Sequence, residues 1–339
     1  MTEPSAITSQ ALQLTSYDGG PDSLRLAERT IGPLKPGEVL VRIAAAPINP
    51  SDLMFVRGLY GIKKALPAIP GFEGSGTVVA AGPGALGRRL VGRRVACGAT
   101  PGGDGTWAEY MVTGAAYCIP LADNISLEQG ASLIVNPITA WALVDQARRE
   151  KRAAAVQTAA ASQLGRMVIR LAERADLPLI NVVRRAGQAG ELRALGARHV
   201  LDSSEPEFAD RLAELCAELN ATLAFDAVAG ALTGQILGAM PDGSQAIVYG
   251  ALSEAGCVIH PADLIFKRKT VSGFWLSDWL ARKNILSMIR LAATIQRRLG
   301  GDLASAVQAR LPLAAGTAGL ERYRQAMSGG KVLFTPEGG

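Results

Sequence analysis

From residue 153 to residue 275, short apolar runs alternate with helical stretches of about ten residues, a pattern that few folds accommodate. The runs are AAAVQT, PLINVV, HVLD, ATLAFDAV, QAIVYG and TVSGFW. Between them lie RMVIRLAER, ELRALG, FADRLAELCAEL and a helical segment from Leu232 to Met240. Strand, helix and parallel strand make one βαβ unit, so this part of the chain predicts a doubly wound parallel sheet of about six strands in an α/β protein. Residues 1 to 120 differ in texture. They are rich in glycine, proline and β-branched runs such as VLVRIAAAPI (39–48) and GTVVAAG (76–82), and read as a mostly β domain. After Trp275 comes the helical LARKNILSMIRLAATIQRRL, then LERYRQAMSGGKVLF, whose last residues read as a strand returning to the first domain.

The first strand of the alternating region runs through AAAVQTAAASQLG (153–165), a small-residue strand, a tight turn and a helix start. This is the layout that sets a dinucleotide pyrophosphate on a helix N-terminus. The usual three glycines appear as Ala160, Ser162 and Gly165. Small residues still let the backbone approach phosphate, and the N–H groups around Ser162, Gln163 and Leu164 are the expected donors, with the Ser162 hydroxyl a further one. An ordinary βαβ turn is the alternative reading. The second strand ends in Arg184 and Arg185 and carries no carboxylate there. Two guanidiniums suit the 2′-phosphate of NADP(H) better than the free ribose of NAD(H), and a solvated charged pair is the alternative. The expected division is residues 126–276 as the dinucleotide-binding domain, with 1–125 and 277–339 as a substrate domain.

The 35 basic and 30 acidic residues leave a formal charge of +5 without long cationic blocks, so nucleic-acid binding is not indicated. No run approaches 18 uninterrupted apolar residues and the first twenty residues lack a basic then apolar signal pattern, which predicts no membrane partner and a cytoplasmic protein. Cys97, Cys118, Cys216 and Cys257 are too scattered for a zinc knuckle and read as reduced thiols, and His199 and His260 read as structural.

Several segments, in order, resemble the zinc-free branch of the medium-chain dehydrogenase/reductase superfamily, most closely its mitochondrial-type trans-2-enoyl-thioester reductases and related NADPH:quinone oxidoreductases. They are INPSD (48–52), RGLYG (57–61), VNPITA (135–140), ASQLG (161–165), INVVR (180–184), LIFK (264–267) and GFWLSDW (273–279). The resemblance implies a GroES-like, mostly β catalytic domain beside a Rossmann domain, NADPH as cofactor, and a homodimer. The sheet edge near TVSGFW is the place where two copies would pair. Zinc members of that superfamily carry a cysteine where this chain has Asn49 and a histidine where it has Phe72, and a lobe of four clustered cysteines is absent. No zinc is therefore expected, and alcohol dehydrogenation fits poorly.

What the resemblance implies at residue level is hydride transfer to the β-carbon of an unsaturated thioester, with protonation at the α-carbon. Negative charge then builds on the carbonyl oxygen, which calls for a hydrogen-bond donor. Tyr60 is the expected donor, and a phenol packed on the domain surface is the bland alternative. Asn49 is a second candidate for orienting ribose or substrate, with a structural turn residue as the alternative. Asn136 and Thr139 would face the nicotinamide. Tyr249, Gly250 and Ala251 fall at a late strand end, and Phe274, Trp275 and Leu276 would line the nicotinamide and acyl pocket, although such aromatic pairs are commonly core. Lys331 resembles a lysine that reaches the NADP phosphate. Arg57, Lys63 and Lys64 near Tyr60 suit the phosphates of CoA or an acidic carrier protein. The related enoyl reductases place their second arginine two positions after the first, whereas here the two are adjacent. Three functions follow in order: enoyl-thioester reductase, NADPH:quinone oxidoreductase, and a non-catalytic NADPH-binding sensor.

Overall fold

The structure, a computed structural model describing residues 7–336, follows the chain through β1 (Ile7–Leu14), β2 (Leu24–Ile31), β3 (Glu38–Pro47), α1 (Pro50–Val56), β4 (Glu73–Ala81), α2 (Ala85–Leu90), β5 (Arg94–Gly98), β6 (Tyr110–Gly114), β7 (Cys118–Pro120), α3 (Leu127–Ala131) and α4 (Val135–Arg149). Then come β8 (Ala154–Gln157), α5 (Gln163–Arg174), β9 (Leu179–Val183), α6 (Ala186–Ala194), β10 (His199–Asp202), α7 (Phe208–Glu218), β11 (Ala221–Asp226), α8 (Ala231–Ala239), β12 (Gln245–Val248), α9 (Pro261–Ile265) and β13 (Thr270–Gly273). The chain closes with α10 (Leu276–Ala281), α11 (Ile285–Leu299), β14 (Val307–Leu311), α12 (Gly316–Gln325) and β15 (Lys331–Phe334).

Two compact units result, one from Met1–Val135 with Ala292–Gly339 and one from Asn136–Leu291. The first holds a seven-stranded sheet in the order β14-β15-β3-β4-β5-β7, with β6 paired to β3, and a separate β1–β2 ribbon. The returning C-terminal strand is β15, antiparallel to the end of β3 at Pro47 and Ala46. Val39, Val41 and Ile43 of β3 join Phe55, Trp107, Met111 and Phe334 in the core, where burial of each large side chain contributes about 1.5–3 kcal/mol. The Trp107 ring meets Phe334 edge-on at 5.2 Å and donates Nε1–H to the Pro47 carbonyl at 3.2 Å.

The first unit extends ten residues past the expected boundary at 125. Helix α3 is closed by a capping box between Ser126 and Gln129, and the Ser75 hydroxyl donates to the Leu127 carbonyl, which ties the helix to β4. At the other end the cofactor-type unit runs on to Leu291, so α10 and the start of α11 belong to it. The remainder of α11 returns through Gln296, whose side chain accepts from the Ala122 N–H and donates to the Pro120 carbonyl.

The second unit is a six-stranded parallel sheet in the order β10-β9-β8-β11-β12-β13. Counted from its first strand this is 3-2-1-4-5-6, the dinucleotide-binding order, and connections reverse direction between β8 and β11. Strand β8 is wholly buried, as befits the centre of such a sheet. Helix α5 buries Met167, Val168, Ile169, Leu171 and Ala172 at helical spacing. Ile180, Val182, Leu212, Ile236 and Leu237 complete the hydrophobic layer.

Candidate functional site

The carboxyl ends of β8, β9, β11, β12 and β13 collect most of the residues expected to hold a cofactor. After β8 the chain turns through Ala159, whose φ of 48° lies in the left-handed region that glycine adopts freely. An alanine held there carries roughly 1–2 kcal/mol of strain. Ser162 then caps α5: its Oγ accepts the Gly165 N–H at 3.0 Å and its O–H remains able to donate. Gly165 is required by close approach, because a Cβ there would lie 2.5 Å from the Ala160 carbonyl oxygen. Gln163 and Leu164 open the first turn of the helix, at the positive end of its dipole.

Arg184 and Arg185 stand exposed where β9 gives way to α6. Tyr249 follows β12, and its N–H donates to the Asp226 carbonyl at 2.8 Å. A Cβ on Gly250 would meet the Ala227 carbonyl oxygen at 2.8 Å, so the Tyr249–Ala251 turn needs its glycine to lie against the loop after β11. The Tyr249 hydroxyl is buried with no hydrogen-bond partner among the described residues, and burial together with the Asp226 carboxylate pushes its pKa up. Phe274 continues β13 with its ring 6.3 Å from Trp279, while Trp275 and Leu276 open α10, with Trp275 exposed. Asn136 and Thr139 are buried in the first turns of α4.

One buried network at this end went unread in the sequence. Asp226, the last residue of β11, accepts the Thr158 hydroxyl at 2.8 Å, the Thr233 hydroxyl at 2.6 Å, and the N–H groups of Val228 and Ala229 at 2.8 and 3.2 Å. It thereby fastens the ends of β8 and β11 to α8. Its only sequence signal is a carboxylate closing an apolar strand. The turn and helix N-terminus, the obligate glycine and the exposed guanidiniums fit a phosphorylated dinucleotide.

The first unit holds a second constellation. Asn49 is fully buried at the N-cap of α1, and its side-chain Nδ2–H donates to Glu73 Oε1 at 3.0 Å. Its Oδ1 accepts from the Lys331 ammonium in a short contact. A lysine can only donate and a carboxylate here only accepts, so the amide orientation is set by its neighbours. Glu73 Oε2 also accepts the N–H groups of Ile134 and Val135, both at 2.9 Å, at the start of α4. Asp52 accepts the Asn49 N–H at 2.8 Å and the Phe72 N–H at 3.0 Å. Burial pushes the Asp52 carboxyl up to about 7 and the Glu73 carboxyl above its ordinary value, and it lowers the Lys331 ammonium.

Three expectations are corrected by this geometry. Asn49 has both ends of its amide engaged inside the cluster and no exposure, so it braces the scaffold instead of orienting substrate. Lys331 is fully buried beside Asn49 and cannot serve as a solvent-side phosphate contact. Lys64 is likewise engaged, its ammonium donating to the Gly103 carbonyl at 2.6 Å. The donor set does not fit zinc either, since an ammonium and an amide bonded to each other occupy the place and the neighbouring position is Phe72. Among the described residues no group of three or more His, Cys, Asp or Glu side chains could hold a metal ion. His260 caps α9 through Nδ1, which accepts the Ala262 N–H at 3.2 Å.

Tyr60 lies in the loop between α1 and β4, half-buried, its ring 4.6 Å from that of Phe72. It stands two residues beyond Gly58, whose φ is 67°.

Residues 35–123 match the alcohol dehydrogenase GroES-like domain, and residues 164–294 match the family described as zinc-binding dehydrogenase. The mitochondrial enoyl-[acyl-carrier-protein] reductase of Xenopus tropicalis is 32% identical over 291 residues, 81% of each chain. Its counterpart from Bos taurus is 35% identical over 249 residues, which span 71% of this chain but only 65% of the bovine protein. A solved structure from Mesorhizobium loti, assigned as an NADPH:quinone reductase, superposes with a TM-score of 0.91 at 37% identity, covering 99% of this chain and 100% of that one.

Proposed function

Because the chain belongs to the medium-chain dehydrogenase/reductase superfamily, in its enoyl reductase and quinone reductase branch, we propose that it reduces the activated carbon–carbon double bond of a 2-enoyl thioester with NADPH. The observation that carries this reading is the exposed Arg184–Arg185 pair at the end of β9, beside a sheet in dinucleotide order with a capped helix start at Ser162. When bound, NADPH supplies the hydride, which goes to the β-carbon.

The residues of the chain do the rest. Arg184 and Arg185 hold the 2′-phosphate, and the first turn of α5, at Ser162, Gln163 and Leu164, receives the pyrophosphate. Asn136, Thr139 and the Tyr249–Ala251 turn orient the nicotinamide end. Tyr60 donates its O–H toward the thioester oxygen as the electron pair of the double bond moves to it, and the α-carbon of the enolate then takes a proton from water. Phe274, Trp275 and Leu276 shape the apolar side of the pocket.

The resemblance to the Mesorhizobium structure supports a second reading, reduction of quinones. The two part at Tyr60, since a quinone activates its own ring. The test is NADPH consumption with crotonyl-CoA and, separately, a small quinone, each repeated with NADH. Turnover of the thioester that falls in Tyr60→Phe supports the first reading, while turnover with quinone alone overturns it.

A homodimer is part of the proposal. Strand β13 is an edge strand of the sheet among the described residues, and the residues just before it include exposed Leu264, Ile265 and Phe266. Light scattering of the wild type and of Phe266→Glu tests it. No helix among the described residues is long and apolar enough to cross a membrane, and the proposed cytoplasmic location is tested by fractionation.

A further inference from the structure

The residue that stands where zinc relatives have a histidine is Phe72, and its ring is not idle. It is the third of four aromatic rings in a row. Tyr17 meets Phe55 edge-on at 5.6 Å, Phe55 meets Phe72 at 5.7 Å and 76°, and Phe72 meets Tyr60 at 4.6 Å with planes tilted by 41°. Offset and edge-on contacts of this kind are directional, so each ring restricts the tilt of the next.

The backbone of Phe72 is pinned on both sides. Its N–H donates to Asp52 Oδ1 at 3.0 Å, and its carbonyl accepts the Ala99 N–H at 3.0 Å. Asp52 is itself fixed, because its other oxygen accepts the Asn49 N–H at 2.8 Å and the side chain is fully buried. Gly71 before it has a φ of 98°, and a Cβ there would run into Trp107 Cδ1 at 2.6 Å. The loop therefore holds the Phe72 backbone from both sides, beneath the Tyr60 ring. Tyr60 sits on a loop with exposed neighbours, Leu59 and Gly61, and its ring packs on that of Phe72.

We propose that Phe72, held by Asp52, is the positioning residue for Tyr60. The Phe72 ring is then the platform that aims the Tyr60 phenol at the carbonyl oxygen. The inference rests on the proposed role of Tyr60 as donor to the thioester.

The experiment is a double-mutant cycle in the full chain, with kcat and KM measured for NADPH and crotonyl-CoA. Phe72→Leu lowers kcat about tenfold, in line with the sensitivity of catalysis to small misplacement, while KM for NADPH stays within twofold. Phe72→Tyr, which keeps the ring, restores kcat to within about threefold of wild type. In a Tyr60→Phe background the Phe72→Leu change has no further effect on kcat, since the group it aims is gone. A merely structural role would give multiplicative losses and would move both KM values. Full kcat in Phe72→Leu, or losses that multiply in the double variant, overturns the proposal while leaving Tyr60 in its role. Unchanged thioester turnover in Tyr60→Phe instead overturns the reading on which it rests. Should Phe72→Leu fail to fold, Phe72→Trp keeps a ring but shifts its centre, and the same non-additivity with Tyr60→Phe decides.

Discussion

Replacing Lys331 by methionine removes one charge from the interior and leaves the stem nearly unchanged. Lys331 is fully buried and bonds the Asn49 amide, which bonds Glu73, so its removal leaves two buried carboxyl groups without a cation. Breaking a buried charge pair in this way costs about 3–5 kcal/mol. The cluster has one escape, which is to take up a proton. Relative to an unfolded glutamate with a pKa near 4.3, protonation at pH 7 costs about 1.36 × 2.7, or roughly 3.7 kcal/mol, whereas at pH 5 it costs about 1 kcal/mol. Lys331→Met should therefore destabilise the first unit by about 3–4 kcal/mol at pH 7 and by about 1 kcal/mol at pH 5. Adding Glu73→Gln removes the orphaned charge and should return at least 1.5 kcal/mol of the loss at pH 7, by the usual size of coupling between contacting groups. Urea unfolding followed by tryptophan fluorescence suits the measurement, because Trp107 is buried in this unit against Phe334. A loss below about 1 kcal/mol at pH 7, or one as large at pH 5, would refute the reasoning. So would a large rise in KM for NADPH with stability intact, because that is the signature of a phosphate contact.

Arg184→Ala should raise KM for NADPH by about 10- to 100-fold and leave KM for NADH almost unchanged, since a charge-assisted contact contributes roughly 1.5–3 kcal/mol; equal effects on both cofactors would remove the 2′-phosphate assignment. The stability of the first unit should fall as pH rises from about 4 to 7, because buried Asp52, with its carboxyl pushed up to about 7, keeps a proton that the unfolded chain releases near 3.9. Glu73 acts in the same sense, and Lys331 in the opposite one only at higher pH, between its lowered value and 10.5. Urea midpoints at pH 5 and pH 7 check this, and a midpoint that climbs over that interval contradicts it. Gly165→Ala should cost about 1–3 kcal/mol in the second unit and weaken NADPH binding, because the new methyl lies 2.5 Å from the Ala160 carbonyl oxygen; thermal melting with and without NADPH is the readout.

The alternating half of the chain was readable because each strand and helix announces itself locally, by an apolar run or by helical spacing, and six parallel strands follow. The turn at Ala160, the cap at Ser162 and the guanidiniums after β9 are equally local. What stayed hidden depends on partners far apart in sequence. Lys331 meets Asn49 across 282 residues, and nothing in GGKVLF distinguishes a buried ammonium from a solvated one. The mutual engagement of Asn49 and Lys331 stayed hidden for the same reason. SLEQGASLIV looks helical and gives no local sign of the unit it joins, and the ties that place it in the first unit, the Ser75 bond to Leu127 and the pairing of Glu128 with Arg310, come from residues far away in sequence. Asp226 was missed since its four partners come from three separate segments.

The returning strand β15 also dictates an order of events during synthesis. The lysine that bonds the Asn49 amide beside Glu73 is made only after the whole second unit has left the ribosome, a delay of roughly ten to thirty seconds at ordinary elongation rates. Until then β3 lacks one of its neighbours, and the carboxyl groups around Asn49 wait without their cation. The second unit, continuous in sequence, has every strand it needs in hand first. The nascent chain thus finishes its cofactor half while the other half is still open, and its last strand is the one that closes it.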